Sequence, residues 1–378
     1  MTRARRILIS NEFLDLHRGE KDFVLGKSLA KRPGAQVQFL HSGNVSIPDQ
    51  DAGFQPGSTA WNERLRGTAA TIATYQALRL VRQTHNKRVA YLLPNPASYL
   101  ASLRRFRPDW IIDTVYTTLT PRSFLNSLYC KATGAGMIVL DAGDDAKNKR
   151  LLPFERSAMR ASKAVFTYNP ASARRIREKY GLDAGHPMIV HHKMLETADF
   201  PFDPARTGTR PRIGYVGRFV AAKGFDRFLE YASRMSHLAE FVAVGHNDES
   251  FSIPDSVRVV PAVPNKELHR IYSELDILVI PDLGRFRSYA TVVQEALLCG
   301  CRVWIGNLSA DYFPVPHLVD FFQPDDTSGL EAELARLAGL DPASRIGQRQ
   351  ELADCSRAIF DPELVVDRVV SVLEGRAG

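Results

Sequence analysis

At 378 residues, with 44% hydrophobic and 24% charged side chains, the chain has the composition of a soluble globular protein of two ordinary domains. No apolar run is long enough to span a bilayer, and Ile7 to Ile9 behind the basic N-terminus is far too short for a signal-peptide core. The net charge of +7 is lopsided: residues 1–190 hold 29 Lys plus Arg against 15 Asp plus Glu, and residues 191–378 hold 20 against 27.

Arg6 to Ser10 reads as a first strand, Lys21 to Lys31 as a helix and Gln36 to Leu40 as a second strand, the opening of a parallel sheet. The loop between carries Gly19, which can admit a substrate to the backbone or simply make a turn. It has no Gly-x-Gly-x-x-Gly fingerprint, which speaks against a dinucleotide. Arg64 to His85 has helical spacing at Leu65, Ala69, Ile72, Leu78 and Val81 and predicts a long helix. Strands follow at Val89 to Leu93, Trp110 to Ile112 and Met137 to Leu140, separated by helices at Tyr99 to Arg107 and near Phe124 to Thr133. The last of these strands runs into Asp141-Ala-Gly-Asp144-Asp145. Three carboxylates there suit acid/base work or sugar hydroxyls, or serve as helix caps in a solvated turn. Basic helices at Pro153 to Ala161 and Pro170 to Tyr180 flank a strand at Ala164 to Thr167.

Residues 183–210, with Gly185, Pro187, Pro201, Pro204 and Gly208, read as a linker, after which the pattern resets. Ile213 to Val216, Glu240 to Val244, Val257 to Val260 and Ile277 to Ile280 are strands alternating with helices at Phe228 to Met235 and Lys266 to Ser273. From Pro281 a polar loop leads to a helix from Ala290 or Thr291 to Leu298, stopped by Gly300. Strand, loop and helix in that order place a helix N-terminus at the C-terminal edge of a sheet, where open α/β folds bind anionic ligands. Three helical segments, Ser328 to Ala338, Ala343 to Cys355 and Glu363 to Leu373, close the chain. The four cysteines show no Cys-x-x-Cys pair and are expected to be reduced thiols of a cytoplasmic protein. The basic first half suggests an anionic partner, or is a solvated basic face of no special use. A membrane surface, or a lipid-phosphate acceptor lying on it, fits better than nucleic acid, for which no binding motif is present.

With Gly217-Arg218, Lys223-Gly224 and Glu295-Ala296 in view, the chain resembles the family 4 glycosyltransferases, retaining enzymes of the GT-B fold. The likeness covers nearly the whole chain, with its specificity in residues 212–304. It includes a strand ending in Gly245, the element Tyr272-Ser-Glu-Leu-Asp276, and Glu295 followed by Cys299-Gly-Cys-Arg-Val. The resemblance implies two Rossmann-like domains facing each other across a cleft. Residues 1–190 would hold the acceptor, with the C-terminal helix 362–378 packing back on them, and residues 208–361 would hold the nucleotide sugar. It implies Arg218, Lys223 and Glu295 as catalytic candidates. Gly217, Gly245, Arg287, Ala290, Thr291 and Val292 would contact the donor, and Gly19, Asp141 and Asp144 would lie near acceptor or sugar. Arg218, Lys223 and the amides near Ala290 to Val292 would stabilise the diphosphate as its charge grows in the transition state. Glu295 would accept the ribose hydroxyls. No cofactor and no metal are expected, the nucleoside-diphosphate sugar being the donor substrate. A glycan or a lipid-linked molecule would be the acceptor, with the protein peripheral on the inner membrane face.

Two departures from the family stand out. Its first acidic residue of the Glu-x7-Glu motif is Arg287 here, in a loop about two residues longer than usual. Arginine cannot accept a hydrogen bond or act as a base. It would face an anionic sugar, point outward, or mark lost transfer in a nucleotide-sugar sensor. The family's first-domain His is replaced by the Asp141 segment, which also leaves a sugar-nucleotide epimerase open as an alternative.

Overall fold

The structure is a computed structural model that describes residues 5–11, 20–42, 65, 67–84, 87–115, 120–141, 153–281, 291–306 and 310–376. The chain divides into two compact units, Met1–Leu195 with Pro362–Gly378, and Glu196–Asp361.

In the first unit the strands are β1 (Arg5–Ser10), β2 (Ala35–Ser42), β3 (Ala70–Tyr75), β4 (Ala77–Thr84), β5 (Lys87–Pro94), β6 (Trp110–Val115), β7 (Gly136–Asp141), β8 (Ala164–Thr167) and β9 (Met188–Val190). Its helices are α1 (Glu20–Ala30), α2 (Pro96–Phe106), α3 (Pro121–Thr133), α4 (Pro153–Ala161) and α5 (Pro170–Tyr180). Among the described residues a parallel sheet runs β3-β2-β1-β6-β7-β8-β9, and β4 and β5 form a separate antiparallel ribbon. Alternation decides the faces: Ile7 and Ile9 of β1 join one core cluster while Leu8 joins the other. Helix α1 and the C-terminal helix α11 (Pro362–Leu373) cover the first face through Phe23, Leu25, Val366 and Val369. Helices α2 to α5 cover the second through Tyr99, Leu103, Met159 and Tyr180.

The segment expected to be one long helix is two strands instead. Gly67 has φ +79°, which breaks any helix there, and Thr71, Ile72, Thr74 and Tyr75 favour an extended backbone. Residues 70–75 then pair in parallel with β2, and the following strand turns back on β5. The expected linker 183–210 is also more ordered than its composition suggests. Met188–Val190 extends the first sheet beside β8. Residues beyond Glu196 are fastened to the second unit by arginines. Arg357 donates to the carbonyls of Thr197 (3.0 Å) and Phe200 (3.3 Å), and Arg345 Nη2 to those of Gly208 and Thr209 (both 2.6 Å).

The second unit alternates β10 (Arg212–Val216), α6 (Phe225–Met235), β11 (Glu240–Gly245), β12 (Val257–Pro261), α7 (Leu268–Glu274), β13 (Ile277–Ile280), α8 (Thr291–Leu298), β14 (Arg302–Gly306), β15 (Asp320–Phe322), α9 (Ser328–Ala338) and α10 (Pro342–Ile359). Its parallel sheet runs β12-β11-β10-β13-β14-β15 among the described residues. The order reverses between β10 and β13, and a crevice forms outside the strand ends at such a reversal. Aromatic residues fill the core on the α6 side, where Phe219 and Phe225 stack at 4.1 Å. No helix among the described residues is long and apolar enough to cross a membrane.

Candidate functional site

At the reversal point of the second sheet, three strand ends converge on backbone that only small residues allow. Gly245 ends β11 at φ 150°, and a Cβ there would stand 1.9 Å from the carbonyl oxygen of Gly217, which follows β10. Gly217 N donates to Val244 O at 2.9 Å and Phe219 N to His246 O at 2.8 Å, so the two loops are laced together by main chain. Gly224 has φ 74°, and a Cβ there would lie 1.9 Å from the carbonyl oxygen of Pro281, just past β13. An L side chain at either glycine would be strained and would collide with backbone. The result is a rim of peptide groups at one edge of the sheet, bare of side chains at the points of closest approach.

Two cations stand on this rim. The Arg218 side chain is 61% exposed and lies 3.8 Å from the Asp248 carboxylate, an ion pair open to solvent. Lys223 ends a single 3-10 turn, Ala221–Lys223, and is half-buried; its Nζ lies 3.8 Å from the Cβ position of Gly217. The loop after β11 supports the turn, since Ala221 N donates to Glu249 Oε2 at 2.9 Å. Arg218 and Lys223 thus share one edge, five positions apart in sequence but drawn together by the turn.

Helix α8 begins at this edge, after β13. Thr291 and Val292, its first residues, are half-buried, and Glu295 one turn on is buried at 3% exposure. The Tyr272 hydroxyl donates to Glu295 Oε2 at 2.9 Å. Burial, and then the Glu295 charge, push the Tyr272 phenol well up, so it serves as donor and the carboxylate as acceptor. Tyr272 stood in the sequence as part of a motif without a role; a partnership across 23 positions leaves no local signal. The ion pair of Arg218 with Asp248 went unseen for the same reason.

Arg287, Ala290, Gly19 and Asp144 lie outside the described residues. Asp141 is the last residue of β7, opposite Val115 in register, in the first unit. It stands in a different unit from Arg218, Lys223 and Glu295. Among the described residues no group of three or more His, Cys, Asp or Glu side chains is placed to hold a metal ion. The cysteines are free thiols; burial pushes Cys299 and Cys301, behind α8, far up, which makes them inert packing groups.

Residues 196–310 match the family described as glycosyl transferases group 1. Alpha-maltose-1-phosphate synthase of Mycobacterium tuberculosis, from two strains, is 24% identical over 225 residues, which is 50% of this chain and 57% of that protein. The chain thus spans little more than half the length of the curated relatives it matches. Among solved structures, a glycosyltransferase from Rickettsia africae superposes with a TM-score of 0.68 at 12% identity, over 100% of this chain and 99% of the other. Anabaena HepE, solved with UDP-glucose, gives 0.65 at 12% identity, over 98% and 99%. TarM gives 0.67 at 8% identity, over 98% and 99%. The two parallel sheets and these likenesses establish the GT-B fold class, and the resemblance to glycosyltransferases read from residues 212–304 holds.

Proposed function

We propose that this chain transfers a hexose-type sugar, with retention, from a nucleoside-diphosphate donor bound at the rim of the second sheet. The observation that carries the reading is the glycine-bared strand edge with Arg218 exposed and Lys223 beside it. A diphosphate leaving group gains negative charge as the sugar–phosphate bond breaks. Fixed cations at that spot, with the first N–H groups of α8 at Thr291 and Val292, would bind the transition state more tightly than the ground state. Glu295 supplies the acceptor atoms for the ribose. That HepE was solved with UDP and UDP-glucose supports a nucleotide sugar as ligand of this edge.

The test is a thermal-shift screen with UDP, GDP, ADP, dTDP and their sugar conjugates, run beside Arg218→Ala. A ligand at a hundred times its dissociation constant stabilises the native state by about 2.7 kcal/mol. One nucleotide family should raise the melting temperature of the wild type and not of the variant. No shift with any of them would remove the reading's main support. Arg287, in place of the family's first acidic residue, favours a second reading as a non-catalytic nucleotide-sugar sensor. Binding without transfer or donor hydrolysis would select it.

The acceptor side is read from charge. On the face of the first sheet covered by α1 and α11, two arginines are paired with carboxylates: Arg32 with Glu363 and Asp367 (both 2.7 Å) and Arg5 with Glu374 (3.2 Å). The layer α2 to α5 exposes Arg104, Arg105, Lys131, Arg156 and Arg160, with Glu178 the exposed carboxylate of those helices and Glu155 buried. We infer that this layer meets an anionic membrane leaflet carrying a lipid-linked acceptor. Sedimentation with vesicles rich in phosphatidylglycerol should show binding that weakens as salt rises. Equal recovery in the supernatant at all salt concentrations would exclude it.

A further inference from the structure

Tyr272 is buried at 0% exposure and held at both ends. Its hydroxyl donates to Glu295 Oε2. Its own carbonyl accepts from Arg349 Nη2 at 3.0 Å, and the same nitrogen reaches Ser273 O at 2.9 Å. Arg349 Nε donates to Gly300 O at 3.1 Å. Those carbonyls lie at or just past the C-terminal ends of α7 and α8, so one guanidinium from α10 bridges both helix ends and opposes their negative dipoles. Phe202 covers the guanidinium, its ring centroid 4.8 Å away. Burial and the anchored backbone give the tyrosine ring little room to move, so its hydroxyl is a fixed point for the Glu295 carboxylate.

We propose that Tyr272 is a positioning residue that holds the Glu295 carboxylate in the one orientation that reads a ribose hydroxyl of the bound nucleotide. The proposal rests on the nucleotide-sugar reading above. A carboxylate oxygen accepts more than one hydrogen bond, so the tyrosine contact and a ribose contact are compatible. A glutamate fixed before the ligand arrives loses no rotamer freedom on binding, which strengthens the contact it makes.

The experiment is titration calorimetry of the full chain with UDP, GDP and ADP, each beside its 2′-deoxy counterpart, for the wild type, Tyr272→Phe and Glu295→Gln. The wild type should prefer the ribose form about tenfold, the scale of one hydrogen bond to a charged acceptor. Tyr272→Phe should cut that preference to about twofold while binding of the 2′-deoxy form changes little. A tyrosine that only fills space would lower the melting temperature and leave the preference intact, which would overturn the proposal. If Tyr272→Phe does not fold, 4-fluorophenylalanine placed at Tyr272 keeps the volume without a donor and should lose the preference. 4-Aminophenylalanine at the same position restores a donor and should recover it. If Glu295→Gln abolishes the preference and the donor-free ring does not, the nucleotide reading stands and the positioning role alone fails. A wild type that binds nucleotide without ribose preference overturns the role, and one that binds none removes both.

Discussion

The two sheets share one topology and use their reversal points in opposite ways, and each carries an arginine–aspartate pair that shows how. In the first unit the reversal lies between β1 and β6, and side chains fill it. Ser10 Oγ and the Tyr99 hydroxyl are 2.7 Å apart, Tyr99 donates to Asn126 at 2.7 Å, and Arg122 reaches Asp113 at 3.0 Å with both side chains at 1% exposure or less. Arg122 also donates to Thr114 O at 2.7 Å, tying down the end of β6. In the second unit the reversal lies between β10 and β13, glycine backbone fills it, and Arg218 stands 3.8 Å from Asp248 in solvent. The same strand order thus yields a polar plug in one unit and a glycine-lined rim with an exposed arginine in the other. What differs among the described residues is that side chains from strands and helices meet at the first reversal, whereas glycine backbone meets at the second.

The comparison is most severely tested at the plug. Burial raises the Asp113 carboxyl, and the Arg122 charge opposes that rise. Removing one member strands the other, so Arg122→Ala should destabilise the fold by about 3–5 kcal/mol, measured by urea unfolding. The double substitution Asp113→Leu with Arg122→Leu should recover most of that loss, because paired apolar groups need no desolvation. If Arg122→Ala unfolds at the wild-type midpoint, the pair is not the anchor described. A smaller effect is expected at the rim: Gly245→Ala should cost roughly 2–4 kcal/mol from left-handed strain and collision with Gly217 O. Gly347→Ala, with nothing within 4 Å of the added carbon and no positive φ, is the control and should be neutral or slightly stabilising. Equal melting temperatures for the two alanine variants would mean that the rim is not backbone-packed.

Much of the second unit was legible because its strands are short apolar runs closed by Gly or Pro. The reading Ile277 to Ile280 matches β13, and Ile213 to Val216 falls one residue short of β10. The Gly217-Arg218 and Lys223-Gly224 spacing was read through the family resemblance; the left-handed φ of Gly224 is local, but its clash with Pro281 O is not. The first unit was read less well where pairing is remote. Residues 77–84 carry helix-compatible Ala, Leu, Arg and Gln, and only the returning strand Lys87–Pro94 makes them extended. β15, three residues long at a sheet edge, carries too little pattern to register. The plug and the hydroxyl on Glu295 were out of reach altogether. Ser10 and Asn126 are 116 positions apart, and only the folded sheet makes them neighbours.

The finest test uses the exposed pair against the buried one. If the proposed donor site is right, Asp248, its side chain 39% exposed, would compete with a bound diphosphate for the Arg218 guanidinium. Solvent screens that attraction, so Asp248→Asn should leave the unfolding midpoint within about 0.5 kcal/mol of wild type. It should also free Arg218 for the ligand and tighten nucleoside-diphosphate binding about twofold at low salt. The gain should vanish near 0.5 M salt, where the screening length falls to roughly 4 Å. Arg122 and Arg218 then part completely: breaking the first pair costs the fold and gives the ligand nothing, whereas breaking the second leaves the fold alone and gives the ligand a cation. A salt-independent change in affinity would point to a rearranged loop instead, and a loss of affinity would mean that Asp248 aims Arg218 at the diphosphate rather than competing with it.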